Sequence, residues 1–102
     1  MVSDPAVLRI AKGSAAYRLL RHRYSGATLR HPSEGWREGD VAFLIFDLPT
    51  DHGAAAGMAL FAVDLAHARL LLARQIETDA AGDQARVTDL YRYHQGASDE
   101  PA

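Results

Sequence analysis

The 102-residue chain has no cysteine and no asparagine, and its only lysine is Lys12. Without cysteine there are no disulfides, no thiolate nucleophiles and no Cys-type zinc sites, and the composition fits a reducing compartment. The shortage of lysine and asparagine is a bias of the kind a GC-rich bacterial genome produces. No stretch reaches the ~18 uninterrupted apolar residues of a membrane-spanning helix. Asp4, Arg9 and Lys12 interrupt the first dozen residues, where a signal peptide would place its apolar segment. These absences predict a cytoplasmic protein with no membrane association.

Other absences narrow the chemistry. Neither standard glycine-rich phosphate loop is present. Among His22, His31, His52, His67 and His94 there is no His-x-His and no i,i+4 pair. Asp51-His52 and Asp64 with His67 each bring two candidate ligands together, fewer than the three or four a metal site needs. No metal and no cofactor is expected. Ser14 lacks the strand–turn–helix setting of a nucleophile elbow.

The residues present are those of one ordinary globular domain, 48% hydrophobic and 24% charged, with one core expected. Charge is unevenly spread. Residues 1–40 carry seven basic and four acidic side chains, a balance of +3, and the remainder balances at −5, giving −2 overall. Such asymmetry can steer an acidic partner or orient two copies against each other.

Ser3-Asp4-Pro5 is a helix-start signal. Val7, Leu8, Ala11, Ala15, Leu19 and Leu20 then recur at helical spacing, predicting a helix from about Asp4 to Tyr24-Ser25-Gly26, kinked at Gly13. Residues 26–40 read as a long connection with a short edge strand at Ala27–His31. Val41 to Phe46 is continuously apolar, the pattern of a strand covered on both faces.

The stretch from Gly57 to Thr78 reads either as a hairpin, Met58–Leu65 and Arg69–Glu77, or as a second helix. Two features favour the hairpin: Arg69 would interrupt the helical apolar face, and Met58 to Val63 repeats the two-sided apolar run. Ala85–His94 alternates as a last strand, placing Val87, Asp89, Tyr91 and Tyr93 on one face. The fold class is therefore α+β, an N-terminal amphipathic helix packed on a four-stranded antiparallel meander, cystatin-like or a similar helix-on-curved-sheet. Residues 1–94 form the single domain and 95–102 a disordered tail.

One helical layer covers only one face of such a sheet, yet three strands are apolar on both faces. The remaining face calls for a homodimer or another protein partner. The leading expectation is a non-enzymatic interaction or accessory protein that self-associates through its sheet. A second is nucleic-acid binding through the basic, aromatic-interleaved stretch Tyr17 to Tyr24 and the following loop, with Arg18, Arg21, Arg23, Arg30, Trp36 and Arg37 as contacts. A pI near 6.2 argues against non-specific affinity for nucleic acid. A third is a small-ligand site or acid–base enzyme in the sheet cone, with Asp47, His52, Tyr91 and Tyr93 as candidates.

The order helix, Glu34-Gly35-Trp36, strand, Phe61-Ala62-Val63-Asp64-Leu65 and terminal Arg92-Tyr93 resembles the small gas vesicle protein O family. The region between Phe46 and Met58 departs from that family, and no residue role is carried over.

Overall fold

A computed structural model describes residues 5–24, 29–48, 56–78 and 85–93. Two short helices, α1 (Pro5–Lys12) and α2 (Ala15–Arg23), precede five strands: β1 (Glu34–Glu38), β2 (Val41–Leu48), β3 (Ala56–Asp64), β4 (Arg69–Thr78) and β5 (Ala85–Arg92). The strands form one antiparallel sheet in sequence order. The α+β class and the meander hold, with five strands where four were expected.

The single kinked helix is two helices. After α1 the chain breaks at Gly13, and the Ser14 Oγ accepts the Tyr17 amide at 3.1 Å, satisfying a free N–H of the new first turn. The expected edge strand at Ala27–His31 is also displaced. Residues 27 and 28 lie outside the described residues, Leu29 to His31 form a turn, and Leu29 is fully buried. The edge strand is instead Glu34–Glu38, which Gly39, at φ +60°, turns back into β2.

Residues 58–77 form the hairpin, and the helical alternative is excluded. β3 pairs with β2 on one side and β4 on the other. Asp64 organises the connecting turn: its Oδ1 accepts the amides of Ala66 at 3.0 Å and His67 at 3.3 Å.

Both helices lie on one face of the sheet. Tyr17 of α2 meets Phe46 at 5.8 Å and Phe61 at 6.3 Å between ring centroids, and the two phenylalanines meet edge-on at 5.5 Å. The phenol of Tyr17 donates to the Leu29 carbonyl, so this aromatic centre also anchors the segment entering the sheet. Around it lie Val7, Ala11 and Leu20 from the helices and Leu44 and Val63 from the strands, all at most 1% exposed. No described helix or loop covers the opposite face, where β2 alternates half-buried Val41, Phe43 and Ile45 with the buried side chains of the helix face.

The last strand departs from simple alternation. Asp89 pairs with Arg74 and Tyr91 with Ala73, so Leu90 is the extra residue of a bulge. Val87 and Asp89 therefore face the uncovered side, whereas Tyr91 points to the helix side, contrary to the single-face expectation. His94 and the tail at 95–102 lie outside the described residues.

Candidate functional site

The uncovered sheet face is the candidate site, and strand register fixes its pattern. One cross-strand row runs Trp36, Phe43, Ala62, Leu72, Arg92. The next runs Glu34, Ile45, Leu60, Arg74, Asp89, and a third runs Asp47, Met58, Ile76, Val87. Side chains in such rows touch across neighbouring strands. Trp36 stacks on Phe43 with centroids 5.1 Å apart and planes 15° from parallel. The result is an apolar band flanked by acid at the β1 edge and by Arg74, Asp89 and Arg92 at the β5 edge. Most of the band is half-buried by its own neighbours, while Met58 is 37% and Val87 54% exposed.

The charges on this face are arranged unequally. Arg74 Nε donates to Asp89 Oδ1 at 2.7 Å, and its Nη2 reaches Oδ2 at 3.4 Å. This hydrogen bond holds the Asp89 carboxyl below its ordinary range and raises the Arg74 guanidinium. Arg92 reaches Asp89 only at 3.9 Å, with 61% of its side chain exposed. At the other edge, Trp36 Nε1 donates to Glu38 Oε2 at 3.2 Å.

Asp64 is the second carboxyl with a lowered pKa, chiefly through the 2.8 Å hydrogen bond from His67. Arg69 Nε stands 3.3 Å from the same carboxylate without hydrogen-bond alignment. The Arg69 guanidinium lies 4.2 Å from the centre of the Tyr93 ring and donates to its hydroxyl at 3.1 Å. Depressed carboxyl pKa values contribute stability at neutral pH that is lost as pH falls through the folded-state values. The thermal midpoint is therefore expected to hold from pH 7 to about 5 and to fall below about pH 4. Asp89→Asn should flatten that acid limb; an unchanged limb would show that the Arg74 pair contributes nothing.

The acid–base candidates do not converge. Asp47 is exposed on the uncovered face, where Ser33 Oγ approaches it at 3.4 Å, whereas Tyr91 lies across the sheet on the helix side. Tyr93 is engaged with Arg69, and His52 is outside the described residues. Tyr91 lines a groove of about 630 Å³ between the helices and the last two strands, together with Ile10, Leu19, Leu70 and Leu90. Among the described residues of that lining, Arg69 is the only charged one. Among the described residues no group of three or more His, Asp or Glu side chains is placed to hold a metal ion.

The nucleic-acid candidates are likewise divided. Arg18 and Arg21 are exposed on α2, and Arg18 donates to the Gly13 carbonyl at 3.0 Å. The aromatics interleaved with them are occupied in the fold: Tyr17 is 5% exposed, and Tyr24 accepts from Gln75 Nε2 at 2.9 Å. Arg23 donates to the buried Gln75 at 3.2 Å, tying the end of α2 to β4. Arg30 is exposed and its carbonyl accepts from Lys12. Arg37 donates to the Gly39 carbonyl at 2.9 Å, and its partner Ala42 lies on the helix side. Trp36, intended as the base-stacking group, is on the other face.

Comparison with protein-family models, curated proteins and solved structures finds no match to this chain. Its own geometry carries the reading.

The signal for the uncovered face was present in the two-sided apolar runs of β2 and β3. Its acidic β1 edge was missed, because Glu34-Gly35-Trp36-Arg37-Glu38 has one large apolar residue and reads as loop.

Proposed function

We propose that this protein is a non-enzymatic interaction module that associates with a second copy of itself through the uncovered face of its sheet. The observation that carries this reading is the contiguous band of Trp36, Phe43, Ile45, Leu60, Leu72 and Ile76 on the face opposite both helices. Adjacent strands lie ~4.8 Å apart and residues rise ~3.3 Å, so five strands over six or seven residues span on the order of 500 Å². The apolar part of that face, inside its charged edges, falls within the range of the largest patch on a monomer, which often marks a binding site. Two such faces together reach the ~1,000 Å² at which specific interfaces begin.

The separation of Asp47 from Tyr91 favours an interaction role over acid–base chemistry, which needs its groups within hydrogen-bond reach of one substrate. The internal use of Tyr17 and Tyr24 favours it over base stacking by the arginine-rich helix. Sheet-on-sheet packing interdigitates apolar side chains in a layer ~10 Å thick, and the half-buried aliphatic residues here suit that arrangement.

The reading is tested by light scattering or sedimentation velocity across a concentration series. A mass moving from 11.1 kDa towards twice that value is the expected result. A chain that stays monomeric at high concentration overturns it.

A further inference from the structure

The charges bordering the band specify how two copies meet, an inference that rests on self-association through this face. Two sheets can be stacked face to face about a two-fold axis lying between them in two simple ways. If the axis crosses the strands, β1 lies over the partner's β1. Glu34 and Glu38 of both copies are then brought together, a like-charge contact with no cation on β1 facing that side. If the axis runs along β3, the strand order of one copy is reversed over the other and β1 lies over the partner's β5. This axis places the edge bearing Glu34, Trp36 and Glu38 over the edge bearing Arg92 and Asp89, twice in each dimer; Glu34 then shares its height with Asp89, whose charge Arg74 already meets at 2.7 Å.

We infer that the second arrangement is the one adopted, with Arg92 of each copy docking at the Trp36 ring between Glu34 and Glu38 of the other. Three observations support Arg92 as the docking cation. It shares a cross-strand row with Trp36, so an axis along β3 brings the two to the same height. Its guanidinium is lightly engaged, 3.9 Å from Asp89, while Arg74 already holds that carboxylate at 2.7 Å. Trp36 is stacked on Phe43, which fixes its ring, and the indole N–H is directed to Glu38. Phe43 covers one side of that ring and leaves the other for a cation, and a guanidinium on an indole flanked by carboxylates combines cation–π attraction with ion pairing.

The experiment is a charge swap read by sedimentation equilibrium. Arg92→Glu alone and Glu34→Arg/Glu38→Arg together should each weaken self-association at least tenfold. An equimolar mixture of the two variants should recover near-parental affinity as a mixed dimer, because every reversed edge then meets its complement. Emission from Trp36, the single tryptophan, should change with concentration in the parent and lose that dependence in Arg92→Glu. If the parent associates but Arg92→Glu associates equally well, or the mixture shows no recovery, the strand-reversed docking is wrong while self-association stands. If the parent itself is monomeric, self-association fails and the docking fails with it.

Discussion

Leu60→Glu is expected to weaken self-association at least a hundredfold while leaving the monomer folded. Leu60 sits at the centre of the uncovered face on the middle strand, paired with Ile45 on one side and Arg74 on the other. In the monomer a glutamate there remains in water, and Arg74 across the ladder, although paired with Asp89, offsets only part of its charge. Half-buried Leu60 loses some packing, so the thermal midpoint measured at dilution should fall by only a few degrees. In the dimer the same carboxylate would be enclosed between two apolar layers with its nearest cation already committed to Asp89. A hundredfold change in dissociation constant corresponds to about 2.7 kcal/mol, within the cost of leaving one charge poorly paired in an interface. Sedimentation of the parent and the variant over the same concentrations reads the effect. Parental affinity in the variant would place the contact elsewhere on the molecule.

The parts of this architecture legible in sequence follow from periodicity. Val41 to Phe46 and Met58 to Val63 are apolar at every position, which marks strands whose second face also carries large side chains. Turn chemistry was partly legible as well. The hairpin turn was expected between Leu65 and Arg69 and lies there, with the Asp64 carboxylate accepting two of its amides. Gly13-Ser14 was read as a weak point in one helix, although serine directly after glycine equally suits the cap of a new one, which is its role here.

The illegible parts arise where a local rule competes with a tertiary one. β1 reads as loop because an edge strand needs only one inward partner per face and is protected from further pairing by its charges. Only its register with β2 shows that Glu34, Trp36 and Glu38 share the uncovered face. In β5 the extra residue at Leu90 reverses the alternation, so Tyr91 and Asp89 part company although they are two positions apart. No residue type in Ala85–Arg92 marks that bulge. The acid–base grouping of Asp47 with Tyr91 supposed a common site in the sheet cone, whereas the two lie on opposite faces of the sheet. The arginine-rich helix shows a related limit, since composition reveals which aromatics adjoin the cations and not whether those rings are used up in the core.

Phe61→Ala, one residue along from Leu60, is expected to act in the opposite sense and to cost about 3–5 kcal/mol of folding stability. Successive side chains on a strand point to opposite faces, so Phe61 is fully buried on the helix side, edge-on to Phe46 and within the ring cluster of Tyr17. Truncation removes the ring that joins the centre of the sheet to α2, and the cavity opens between layers that cannot collapse without moving a helix. Against a total of roughly 5–15 kcal/mol for a domain, that loss leaves the fold marginal or unfolded at 25 °C. Association stabilises the folded state by mass action and would mask part of the loss, so urea unfolding is best compared in the Leu60→Glu background. Phe61→Leu, which retains most of the volume, should lie between parent and alanine. If Phe61→Ala changed stability by under about 1 kcal/mol in that background, the aromatic cluster would not be the centre of the core. The helices would then be held mainly by other contacts, including the bridge from Arg23 to Gln75.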